Sequence, residues 1–138
     1  MKALLVILTF GIRTLAILPL VAAFAQAPKV VPPTGVPIPA EARAALETKL
    51  AELNTQVGML ANNPLLPDVL VFREAVRIAL EYNEFFKADE SAKAMRLLDE
   101  GLLRAGQLRN KQSPWTTATG TVVRGYVSKI DGSIQPYG

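Results

Sequence analysis

Leu46, Leu50, Leu53, Val57 and Leu60 follow one another at steps of four, three, four and three residues. That spacing lays one narrow apolar stripe along a helix and fits no strand, whose side chains repeat every two residues. Two further segments have the same character. Val69, Phe72, Val76, Ala79, Leu80 and Phe86 mark the buried side expected of a second helix. Ala94, Leu97, Leu98, Leu102, Ala105 and Leu108 mark that of a third. The boundaries are equally local. Asn62-Asn63-Pro64 is expected to end the first helix, because Pro64 disfavours helical geometry at Asn63. Pro67-Asp68 is expected to start the second, with proline suited to the first turn and the Asp68 carboxylate meeting the positive end of the helix dipole. Ala88-Asp89 opens the third, and Glu90 adds negative charge to its first turn. Arg43–Glu47 and Arg77–Glu81 form pairs one turn apart on outer faces, and Asp89–Lys93 and Glu100–Arg104 run acid before base, the better orientation. Arg109 and Lys111 suit the third helix's C-terminal dipole. Short joints between amphipathic helices predict a mainly α fold, an antiparallel helical hairpin or three-helix unit, over residues 40–112.

What precedes the helices reads as an export signal and a spacer. Lys2 charges the amino end, and apolar runs at Ala3–Phe10 and Leu15–Phe24 flank Gly11-Ile12-Arg13-Thr14. Ala23-Phe24-Ala25 places small residues where a signal peptidase reads them, so residues 1–25 are expected to be a signal peptide cleaved after Ala25. Arg13 leaves each apolar run shorter than the roughly 20 residues a membrane span needs. The expected location is periplasmic or extracellular, with no membrane partner after cleavage. Residues 26–39 hold Pro28, Pro32, Pro33, Pro37 and Pro39, which predicts an extended linker.

Charge and missing residue types then remove whole classes of function. The chain has 15 Lys+Arg against 12 Asp+Glu, a balance of +3 that falls to +1 once Lys2 and Arg13 leave with the signal. Basic residues alternate with acids, so no nucleic-acid footprint is expected. There is no Cys, hence no disulfide framework, and there is no His either. A zinc site lacks its usual ligands, and imidazole-dependent hydrolysis lacks its base. No metal or other cofactor is expected.

After Ser113-Pro114 the helical period stops. Thr116, Thr117, Thr119, Thr121, Val122, Val123, Tyr126 and Val127 favour strand, and Asp131-Gly132 has the composition of a two-residue type I′ turn. A strand over Thr117–Lys129 and a partner from Ser133 onward are therefore expected, giving a C-terminal β-hairpin in residues 113–138. A ribbon of two strands alone is marginally stable in water, so this tail is expected to fray, with an open edge.

The stretch Arg124-Gly125-Tyr126-Val127-Ser128-Lys129-Ile130-Asp131-Gly132-Ser133-Ile134-Gln135-Pro136-Tyr137-Gly138 resembles the opening strands of secreted α/β-hydrolases of the prolyl-oligopeptidase-like and esterase-like kind. The segments Glu81–Phe86 and Ser113–Gly120 resemble the helical region that precedes the hydrolase domain in large exported bacterial members. The resemblance implies that the hairpin begins a hydrolase sheet and that residues 40–112 form a non-catalytic accessory region, packing on or gating a catalytic domain of the same parent chain. It also implies a serine hydrolase as the full-length parent. The oxyanion loop, the G-x-S-x-G elbow and the triad acid and His that such enzymes carry after this hairpin have no counterpart in these residues, so no catalytic residue is carried over. The alternative is a self-contained exported helical binding module that pairs with another chain through its β tail.

Four candidate clusters were weighed on their chemistry. Ser133 reads as a residue flanking a turn, because Gly132-Ser133 lacks a strand–turn–helix context. Glu81 and Glu84 read as a solvated helix edge in preference to a pair of acid–base carboxylates. Tyr82, Phe85, Phe86 and Trp115 read as a cap on the helical core in preference to a sugar-binding platform. Asp99-Glu100 lacks the spaced oxygens of a calcium loop.

Overall fold

The computed structural model describes residues 33–87 and 89–138. The expected signal peptide, residues 26–32 of the linker and Ala88 lie outside the described residues. Three helices carry the fold: α1 over Ala40–Gly58, α2 over Pro67–Tyr82 and α3 over Glu90–Arg109. A single 3₁₀ turn at Pro114–Thr116 follows, then strands β1 (Arg124–Val127) and β2 (Ile134–Tyr137), paired antiparallel with Arg124 opposite Tyr137 and Val127 opposite Ile134. The mainly helical class and the C-terminal hairpin are those expected from the sequence. Among the described residues no helix is long and apolar enough to cross a membrane.

Contacts between helices fix their directions. Arg43, near the start of α1, donates to the Leu80 carbonyl (2.9 Å) and to Asn83 Oδ1 (2.7 Å) at the end of α2, so these two helices are antiparallel. Lys49 pairs with Asp99, and Arg109 Nη1 donates to Gln56 Oε1 at 2.7 Å, so α1 and α3 run side by side in the same sense. The outcome is an up-down-up unit of three helices. Leu46, Leu53 and Leu98 are wholly buried at its centre, joined by Val69, Val76, Ala94 and Ala105. Gly101 lies where α3 meets both neighbours: a Cβ there would sit 2.8 Å from Leu53 Cδ2 and 3.3 Å from Phe72 Cβ. A mid-helix glycine costs about 1 kcal/mol of helix propensity, and here it allows that close approach.

Several local expectations are corrected. The first helix stops at Gly58, and Met59–Asn62 turn before Pro64 is reached, with Leu60 still buried. Phe85 occupies the core, while Phe86 is half exposed: the left-handed Asn83 ends α2 and breaks the helical phase that would have pointed Phe86 inward. Leu97 sits at the margin of its helix face and is partly exposed. The end of the linker is docked as well as extended: Val36 N–H donates to the Phe85 carbonyl at 2.6 Å, and Ile38 packs against the core.

The tail differs most from expectation. Residues 117–123 form no strand, so β1 is four residues long. The hairpin turn is a four-residue loop, Lys129–Gly132, closed by Ser128 N–H on the Ser133 carbonyl (2.8 Å) and Gly132 N–H on the Ser128 carbonyl (3.0 Å). Only Gly132 in this loop has positive φ (73°), whereas a type I′ turn requires it at Asp131 too. Nor is the ribbon isolated: both strands pack on α2, and Trp115 is buried with the helices across the expected junction at residues 112 and 113.

Candidate functional site

The chemistry of this chain concentrates where the hairpin meets α2. Asp68, in the first turn of α2, is 1 % exposed, and burying a carboxylate is costly unless its oxygens find donors. Three groups from the C-terminal segment supply them. Trp115 Nε1 and Arg124 Nε each donate to Oδ2 at 2.9 Å, and Gly125 N–H donates to Oδ1 at 2.8 Å. Burial alone would push the Asp68 carboxyl up, but the bonds from Arg124, Gly125 and Trp115 outweigh it and hold the group below its ordinary value near 3.8. Its own bond to the Asp68 carboxylate pushes the Arg124 guanidinium above its usual range. Gly125 is required sterically at this junction, since a Cβ there would lie 2.0 Å from the Pro67 carbonyl oxygen.

Beside Asp68 sits a second buried charge. Arg104 of α3 is 5 % exposed, with its guanidinium between the rings of Phe72 (4.7 Å) and Trp115 (4.9 Å). Its Nε donates to Glu100 at 2.7 Å and its Nη1 to the Val123 carbonyl at 2.7 Å. The planar guanidinium stacks on aromatic faces while its edge nitrogens bond in plane, a combination lysine cannot offer. Arg104 and Asp68 thus link α2, α3, the Trp115 turn and β1. Among the described residues no buried side-chain nitrogen or oxygen is left without a partner.

The clusters weighed from the sequence fall elsewhere. Ser133 Oγ donates to Asp131 Oδ1 at 2.7 Å and accepts from Gln135 Nε2 at 2.8 Å, a turn role that, together with Ser128, holds the Asp131 carboxyl at about 2. Glu81 is bound to Arg77, while Glu84 follows the end of α2. Trp115 and Phe85 are buried, whereas Tyr82 and Phe86 are exposed, so the four aromatics form no common platform. Asp99 and Glu100 are split between Lys49 and Arg104. No cluster of three or more acidic side chains among the described residues is placed to hold a metal ion.

Sequence reading missed the junction. Asp68 was assigned to the helix dipole and Arg104 to an ordinary ion pair one turn from Glu100. A signal was present for Arg104: it shares the inward face of α3 with Gly101, Ala105 and Leu108. A cation within an apolar stripe needs a buried partner. Nothing local marks Asp68, because its donors lie 47 to 57 residues away. What the junction does chemically is to accept and donate hydrogen bonds within the protein, which makes it a structural latch. Compared with protein-family models, characterised proteins and solved structures, the chain has no match.

Proposed function

We propose that this chain is the non-catalytic N-terminal accessory region of an exported α/β-hydrolase, a peptidase or esterase, and that its helices hold the first hairpin of the hydrolase sheet in a fixed orientation. The observation that carries this reading is the Asp68 latch. A domain whose task is to present a hairpin needs a rigid, directional joint to it, and three donors converging on one buried carboxylate supply direction as well as attachment. The segment so held, Arg124–Gly138, is the one that resembles the hydrolase opening strands. In this reading the catalytic Ser, acid and His belong to the domain the hairpin leads into, and the helical unit acts on catalysis through position alone.

The reading is tested by the coding DNA beyond Gly138. It expects an open frame running on into an oxyanion-loop segment and a G-x-S-x-G elbow, with an acid and a His further on. A stop codon after Gly138 followed by an unrelated frame would overturn it and leave the self-contained binding module.

A further inference from the structure

Between α2, α3 and β2 lies a groove of about 370 Å³ with an apolar floor, lined by Phe72, Ala75, Ile78, Leu97, Ile134 and Pro136. Ile78 and Leu97 are more than a third exposed, so the groove is open at the surface. At one end it runs on into a polar mouth of about 390 Å³: Glu74, Ile78, Ile134 and Gln135 line both, and the mouth adds Arg73 and Arg77. The charges of the mouth are unequally spent. Glu74 Oε1 accepts from Arg73 Nε (2.9 Å) and Nη2 (2.5 Å), and Glu74 Oε2 accepts from Arg77 Nε (2.7 Å). Arg77 Nη1 is bonded to Glu81, which does not line the mouth. Among the described residues Arg73 Nη1 and Arg77 Nη2 have no acceptor. Two arginines against one glutamate leave the lining with surplus positive charge and two unspent donor nitrogens.

We infer that this groove binds a small amphiphilic carboxylate, an aliphatic or aromatic acid whose body lies on the apolar floor and whose head meets Arg73 and Arg77. Small-molecule sites combine mostly apolar walls with a few polar groups that fix orientation, at volumes from about 300 Å³ upward. Guanidinium nitrogens match a carboxylate in charge and in geometry. The sign of the head follows from the mouth. A cationic amphiphile would face both arginines with no acid to receive it, because Glu74 is already shared between them. A neutral one would leave the surplus charge unmatched. An added β-strand is a poorer occupant, since Pro136 gives the adjoining β2 edge a position without an N–H. Glu74 is a positioning residue here: it holds both guanidiniums at the mouth while competing for them with the ligand. The inference does not rest on the hydrolase reading.

The test titrates the purified chain with octanoate below its micelle concentration, and in parallel with octylammonium and octan-1-ol, following amide shifts. Octanoate is expected to give saturable shifts centred on Ile78, Ile134 and Gln135, and octylammonium to bind about tenfold more weakly. Replacing both bases, Arg73→Gln with Arg77→Gln, should weaken octanoate about fivefold and leave octan-1-ol within about twofold. Glu74→Gln removes the competitor and should tighten octanoate, an effect a merely structural acid would not produce. Ala75→Leu fills the floor from an exposed position and should abolish binding of all three probes, with the wild-type helical spectrum retained. Octylammonium binding as tightly as octanoate, octanoate indifferent to the arginine pair, shifts centred away from the groove, or no saturable shift in the wild-type chain would each overturn the inference. None of these outcomes depends on the DNA beyond Gly138, so the two readings fail separately.

Discussion

The centre of the helical unit and the α2–hairpin junction are both buried, yet they are held by opposite means. Around Leu46, Leu53 and Leu98 the contacts are apolar, non-directional and tolerant of similar shapes. At Asp68 and Arg104 two charged side chains are taken out of water, and their partners restore the lost hydration bond for bond. A buried ion network of this kind adds little net stability relative to a well-packed apolar replacement, but losing one member is costly. The comparison teaches a division of labour: leucines supply the stability of the bundle, and the latch sets where the hairpin sits on it.

Substitutions at the two regions are expected to separate these roles. The largest effect belongs to Asp68→Ala, which strands Trp115 Nε1 and the Gly125 N–H and leaves Arg124 without its carboxylate. A loss of about 3 to 4 kcal/mol is expected in urea unfolding, discounted from a fully buried pair because Arg124 is partly exposed. Leu98→Ala should cost about 3 kcal/mol by cavity formation, with the hairpin's amide shifts unchanged. If Leu98→Ala displaced the hairpin and Asp68→Ala did not, the division would be wrong. Gly125→Ala should cost about 2 kcal/mol, because its Cβ cannot coexist with the Pro67 carbonyl at the present spacing. Its near-UV signal from Trp115 should change more than its helical signal at 222 nm.

The smallest effect is a pH dependence. The folded Asp68 carboxyl is held below its ordinary value near 3.8. Its contribution is therefore fully present above that value and lost as pH falls below it toward the folded value. The midpoint of thermal unfolding should fall more steeply below about pH 4 for the wild-type chain than for Asp68→Asn. Equal slopes would remove Asp68 from the acid response and leave it to Asp131, held low by Ser133 and Ser128, and to Glu74, whose carboxyl burial pushes up but Arg77 and Arg73 hold below its usual range.

Legibility in the sequence divides along the same line. Apolar periodicity is a local property, so the three helices and most core leucines follow from spacing, and the antiparallel arrangement of neighbours from the short joints. Phe86, expected on the buried side of α2, is half exposed because the left-handed turn at Asn83 changes phase after the helix ends. The latch was not legible, because a hydrogen bond between Asp68 and Arg124 spans 56 residues and leaves no trace in either neighbourhood. The observed strand is shorter than the expected Thr117–Lys129 for a related reason. Residues 117–123 are rich in Thr and Val, but their backbone is directed by Trp115 and by Arg104 on the Val123 carbonyl, and tertiary contacts override β propensity.

The central claim is that the hairpin and the helices are one cooperative unit joined at Asp68, and hydrogen exchange at a single amide tests it most directly. The Gly125 N–H points away from β2, so only the Asp68 carboxylate protects it. In the monomeric wild-type chain its exchange should be within about tenfold of the Leu53 and Leu98 amides, and Asp68→Asn should speed Gly125 far more than either leucine. Fast exchange at Gly125 beside slow leucines in the wild-type chain would show a hairpin that opens independently, and would contradict the latch.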